Sequence, residues 1–309
     1  MKRYFRELSV AGALGILLIA LAVFAPAFYQ GQPLLSLMTA TAPKLVVACG
    51  MALIIIGRQI DISVGSQFAV SGACGSLLLA HGQPVAVALP AAILAGALMG
   101  MLNGALIAGL GLPSIVVTLA TMVSFREALR WKRQGELINI GGAQWFGLNQ
   151  ASGQWTMIII ALVVLVAVAL AMRYLAAGRF IYAVGTDAEA ARLAGINPRL
   201  VTFLNFVFIG ALTGLAAMMA AVQSPLVDPN AGVGLELLVI AAVVVGGVSI
   251  SGGRGNLWGV FAGLLLLCCI SPALVQFNVS AFWEKAIQGG IILLAVVADG
   301  LRSRQNKNR

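Results

Sequence analysis

The residues of this chain that could carry chemistry are few and scattered. Cys49, Cys74, Cys268 and Cys269 all lie in apolar runs without a C-x-x-C spacing, and His81 is the single histidine. A metal or redox centre would need more donors than that, so the cysteines read as small packing residues. Asp61 stands between Ile60 and Ile62 and is followed by Ser63, Gly65 and Ser66. A carboxylate in such a setting needs donors or water; it is expected to cap the helix that follows, with a proton relay as the weaker alternative. The run Gly246-Gly247 through Ser251-Gly252-Gly253-Arg254-Gly255 has the glycine content of a phosphate loop but lacks the Lys-Ser or Lys-Thr that a Walker A loop requires. It is expected to be a flexible hinge, and the chain is not expected to hydrolyse ATP. No H-E-x-x-H and no convincing nucleophile and base set argues for an enzyme.

A third segment, from Arg173 to Arg199, is long and polar. Within it Gly185 precedes Thr186-Asp187-Ala188-Glu189, which is spaced as a capping box: Thr186 would accept the backbone N–H three residues on while Glu189 reaches back. Ala188 to Ala194 favour helix, Arg192 falls within it, and Gly195 is placed to end it after about two turns. A short, firmly terminated helix of this kind either grips another subunit or merely solvates a loop.

The elements that position these segments follow from composition. Of 309 residues, 61% are hydrophobic and 9% charged, whereas soluble domains carry about 25% charged residues. Apolar runs of about twenty residues recur from end to end, each long enough to cross about 30 Å of hydrocarbon as a helix. They lack the alternation of a membrane β-barrel. The expected fold is therefore all-α: a polytopic helical bundle of about ten transmembrane segments, near 8–28, 36–57, 64–80, 84–109, 113–131, 155–173, 200–222, 236–250, 256–276 and 284–300, forming one membrane domain over 1–309. Gly96 to Gly104 and Gly210 to Gly214 offer small faces for close helix packing.

The formal charge of +9 is spread singly over the ends of apolar runs, which argues for topology signals and against nucleic acid. With the N-terminus in the cytoplasm, Lys2, Arg3, Arg6, Arg58, Arg173, Arg179, Arg192, Arg199, Arg254, Arg302, Arg304, Lys307 and Arg309 fall inside, thirteen of nineteen Lys and Arg. Both termini and the loop 173–199 are then cytoplasmic. Arg126, Arg130, Lys132 and Arg133 break the pattern at the outer end of the fifth segment. The first apolar stretch, which also has an A-x-A spacing at Ala25 and Ala27, is expected to be a retained span, since it exceeds the usual length of a secretory leader.

Three ordered motifs resemble the ribose-type branch of ABC sugar-importer permeases. Ile60 to Ser66 is similar to its I/L-D-L/I-S-V-G-S signature, Gly178 to Ile196 to the G-R-x-x-Y-A-x-G-x-x-x-x-A-A-R-x-x-G-I of its central loop, and Glu236 to Gly255 to its E-L-x-x-I-A-A-V-V-x-G-G-x-S-x-S-G-G-x-G stretch. The resemblance implies a multi-pass permease of the bacterial inner membrane with no cofactor of its own. Gly185, Thr186, Asp187, Glu189, Arg192 and Gly195 would form a coupling helix docked in a cytoplasmic ATPase that carries ATP and Mg, and Asp61, Ser63, Gly65, Ser66, Gly252, Gly253 and Gly255 would be family motif loops. A second permease copy or homologue and a periplasmic binding protein delivering a monosaccharide would be the other partners. Where many relatives have Gly-Gly, this chain has Arg58-Gln59, and it has Leu238 in place of an acid; the first departure and the tail Trp283 to Asp299 are similar to the rhamnose and autoinducer-2 subgroups. The competing reading, a secondary carrier driven by an ion gradient, would call for ionisable groups at the membrane midplane. Lys44, Asp61, Glu236 and Asp299 sit mostly near segment ends.

Overall fold

The apolar runs fold as the sequence requires, into helices whose backbone groups are paired within each segment, because lipid offers no partner for them. The computed structural model of the chain describes residues 5–141, 145–224, 226–276 and scattered positions between 280 and 293. The expected tenth segment, 284–300, and the terminal basic residues Lys2, Arg3 and Arg302 to Arg309 lie largely outside the described residues. In order, the helices are α1 (Phe5–Phe24), α2 (Gly31–Ile56), α3 (Val64–Ala80), α4 (Val85–Gly104, prolonged by a π turn Ala105–Gly109), α5 (Ser114–Arg133), α6 (Gln150–Tyr174), α7 (Ala176–Thr186), α8 (Ala188–Leu193), α9 (Pro198–Ala221), α10 (Leu235–Val245), α11 (Leu257–Cys268) and α12 (Ile270–Gln276). Among the described residues the β structure is two residues long on each side, Ile138–Asn139 paired antiparallel with Leu226–Val227.

Five stretches are long and apolar enough to cross a bilayer: Gly31–Ile56, Val85–Gly109, Gln150–Tyr174, Pro198–Ala221 and Leu257–Gln276. The fold is thus an all-α membrane bundle. The expected segment 236–250 is instead an eleven-residue helix, α10, which at 1.5 Å per residue covers about 16 Å, half of what a crossing needs. Gly246 and Gly247 end it, the second at φ +94°, so the apolar run that reads as continuous is broken by backbone geometry.

α2 is the axis of the bundle. From Leu45 to Ile56 every residue is buried, as expected of a helix that is apolar on all sides. Pro43 interrupts it and cannot donate to Thr39 O. The Gln223 side-chain amide beyond α9 donates to that carbonyl at 3.4 Å.

α4 and α9 meet through the two small faces noted in the sequence. A Cβ on Gly96 would overlap Gly210 O, one on Gly100 would overlap Phe206 O, and one on Gly214 would overlap Ala92 O. The backbones therefore touch, which gains dispersion contact where lipid supplies no hydrophobic drive. Gly50 of α2 abuts Ile209 of α9, so α9 is clasped from two sides.

Candidate functional site

α7 leads into α8 through a single non-helical residue, Asp187. The capping box expected of Thr186 and Glu189 is not formed. Asp187 is the cap: its Oδ1 accepts from Glu189 N at 2.9 Å and Ala190 N at 3.0 Å. Because α7 runs on through Thr186, that hydroxyl donates back to Tyr182 O at 2.7 Å, and the Glu189 carboxylate pairs with Arg192 at 2.6 Å on an exposed face. The stop is as expected. Gly195 has φ +82°, its N–H donates to Arg192 O, and Ile196 N–H donates to Ala191 O, both at 3.0 Å.

The foot of this helix pair is where the end of α2, the central loop and the glycine-rich turn after α10 converge. Gly253 N–H donates to Ile56 O, the last carbonyl of α2, at 2.8 Å. Gly185 of α7 lies against both: a Cβ there would overlap Ile56 O and stand 2.8 Å from Gly253 N. A Cβ on Gly252 would stand 2.7 Å from Gly185 O and 2.8 Å from Arg58 Cβ, and one on Gly253 would overlap the Thr186 hydroxyl. Tyr182 Oη donates to Gly255 O at 2.9 Å. The turn closes on itself through Gly252 N–H to Ser249 O at 2.9 Å and Ser249 N–H to Arg254 O at 3.0 Å. The expected flexible hinge is therefore a packed turn. Glycine is needed at Gly252 and Gly253 twice over, for φ values of +79° and +70° and for space. Arg58 also adopts φ +63°, a conformation that favours glycine.

Asp61 has no exposure. It caps no helix; Ser63 is the N-cap of α3 and makes no side-chain cap bond. Its carboxylate instead accepts from Ser63 N at 2.9 Å, Ser63 Oγ at 2.6 Å and Gln67 Nε2 at 3.1 Å. Asn103 Nδ2 of α4 donates to the same Ser63 hydroxyl at 2.8 Å, and Ser66 Oγ donates to Ser63 O at 2.8 Å. Bonds to a carboxylate are the stronger kind. The cluster locks the start of α3 to α4 and fixes Gly65, where a Cβ would overlap Glu236 Oε2 and Gly232 O near the start of α10.

Two of the basic residues that break the charge pattern, Arg126 and Arg130, serve this second junction. Arg126 Nη1 donates to Ala231 O at 2.8 Å and Arg130 Nε to Asn230 Oδ1 at 3.0 Å, holding the stretch before α10 against α5. Sequence reasoning missed this clamp because its partners are about a hundred residues away. The available signal was that Arg126, Arg130 and Arg133 recur at helical spacing on one face.

Comparison with known proteins decides the family. The model described as "Branched-chain amino acid transport system / permease component" matches residues 34–296. The chain belongs to this permease family. It is 31% identical to the ribose import permease protein RbsC of Escherichia coli (strain K12) over 304 residues, covering 96% of this chain and 95% of the relative. It is 34% identical over 301 residues to the L-arabinose ABC transporter permease protein AraH of Azospirillum brasilense, covering 95% and 89%. It is 34% identical over 306 residues to the autoinducer 2 import system permease protein LsrC of Enterobacter sp. (strain 638), covering 98% and 89%. No solved structure matches the chain. As a permease component it is a transport subunit and not an enzyme.

Proposed function

We propose that this permease imports a monosaccharide or a sugar-like solute across the bacterial inner membrane, driven by ATP hydrolysis on a separate subunit. The observation that carries the reading is the backbone junction of α7 and α8 with the last turn of α2 and the Gly252–Gly253 turn. A short helix, α8, exposed at Glu189 and Arg192 and joined to α7, which is seated on the axial helix through Gly185, is built to pass a push from a partner to the bundle.

The chain lies with α7, α8 and both termini in the cytoplasm, as the distribution of Lys and Arg supports. It forms one membrane domain of about ten segments, in which α10 is a half-segment. Gly185, Thr186, Asp187, Glu189, Arg192 and Gly195 shape the coupling element; Glu189 and Arg192 face the ATPase, whose own ATP and Mg supply the energy. A second permease copy or homologue completes the passage, and a periplasmic binding protein delivers the solute. The carrier alternative is disfavoured by Asp61, whose carboxylate is committed to three short-range donors. Reconstituted vesicles test the proposal. Uptake should require the ATPase, the binding protein and ATP; uptake by this chain alone on a proton or sodium gradient would refute it.

A further inference from the structure

At the end of the bundle opposite α7 and α8, a cavity of about 130 Å³ lies between α3, the end of α9 and the stretch before α10. At about 30 Å³ per water it holds roughly four waters. A whole monosaccharide is larger than four waters, but the cavity is open on one side, so it takes part of one sugar ring. Its walls are made by small residues, Ala69, Gly72, Ala217, Ala220 and Ala221, so the space results from side chains that stop at Cβ or before it.

Three other lining residues have matching chemistry. Phe68, one turn into α3, is half-buried and offers a ring; the C–H bonds of a sugar face carry slight positive charge that the negative face of an aromatic ring attracts. Asp228 is exposed, and among the described residues only its Oδ1 is occupied, by Asn230 N at 2.7 Å and Asn230 Nδ2 at 3.2 Å. Its Oδ2 is left to accept hydroxyl protons. Ser224 is engaged with Leu226, its hydroxyl donating to Leu226 O at 2.9 Å and accepting from Leu226 N at 3.3 Å, which leaves it one further lone pair.

The position within the fold strengthens the match. The cavity is bounded on one side by Ala231, whose carbonyl Arg126 holds, and the next residue, Gly232, packs against Phe68 and Gly65. The starts of α3 and α10 meet there, and both are shorter than a full crossing. Paired short helices that begin inside a bundle are where transporters hold polar solutes, because helix starts present unpaired N–H groups.

We infer that this cavity is a solute station on the passage, taking part of one monosaccharide ring, with Phe68 covering its apolar face and Asp228 accepting from its hydroxyls. The inference rests on the sugar-import reading. The test uses the full chain with its ATPase and binding protein in vesicles, and a panel of pentoses and hexoses that differ in hydroxyl configuration. Ala220→Phe, which fills the cavity from the half-buried end of α9, should reduce uptake by about tenfold or more while the complex assembles at normal yield, and Ala220→Ser should restore much of it. Asp228→Asn should change the ranking of the sugars by about tenfold, an effect that a general loss of stability would not produce. Wild-type rates and ranking in both Ala220→Phe and Asp228→Asn would overturn the station. Failure of the wild-type chain to move any sugar under ATP would instead refute the sugar-import reading.

Discussion

Gly185→Ala is the sharpest perturbation of the junction. The added methyl would overlap Ile56 O and stand 2.8 Å from Gly253 N and 2.9 Å from Ile56 C, where an ordinary contact is about 3.5–4.0 Å. Every one of these atoms is backbone, so no side chain can swing away. Relief requires α7 to move off by more than an ångström, at a cost of about 1–3 kcal/mol. The same movement strains the 2.8 Å bond from Gly253 to Ile56, worth about 0.5–1.5 kcal/mol. Together these amount to about 2–4 kcal/mol at one contact, enough to detach the coupling element from α2 without unfolding the bundle. Gly195→Ala is the matched control: its φ of +82° makes alanine strained by about 1–2 kcal/mol, but nothing lies within 4 Å of its new methyl. In vesicles Gly185→Ala should bind the ATPase and allow ATP hydrolysis yet lose most sugar uptake, while Gly195→Ala keeps most of it. Equal uptake by the two variants would refute the reasoning.

The remaining predictions concern contacts of known size. Glu189→Ala with Arg192→Ala removes a pair whose side chains are 65% and 67% exposed, worth about 0.2–0.5 kcal/mol; the amount of inserted protein should not change, while pull-down of the ATPase and sugar uptake both fall. Gly210→Ala should lower the melting temperature in detergent through a clash with Gly96 O, costing about 1–3 kcal/mol, whereas Gly12→Ala, with open space around it, should not. Asp61→Ala leaves Ser63 N without its acceptor inside the bundle and takes one of two acceptors from Gln67 Nε2, which keeps Ser63 Oγ, and should cost about 1–3 kcal/mol, seen as loss of folded protein on a size-exclusion column.

Much of this was legible in the residues because it is local. Helix α8 and its stop at Gly195 follow from propensity and a left-handed glycine, and the Gly96 to Gly104 and Gly210 to Gly214 faces do meet. The cap was misread because Thr186 and Asp187 are adjacent acceptors, and the choice between them depends on α7 extending through Thr186. α10 reads as a full crossing because the apolar run continues past Gly246-Gly247, and only the φ of Gly247, +94°, reveals the end of the helix. The packed Gly252–Gly253 turn and the Arg126 clamp depend on partners from about 70 to 200 residues away in sequence, which no local pattern encodes.

The central claim, that α8 is the element the ATPase grips from the cytoplasm, is tested most directly by cross-linking. With the four native cysteines replaced, Ala188→Cys would carry a photoactivatable maleimide in the assembled transporter. The account predicts a covalent adduct with the ATPase subunit and no labelling of intact cells by an impermeant thiol reagent. Labelling from the periplasm, with no ATPase adduct, would contradict it.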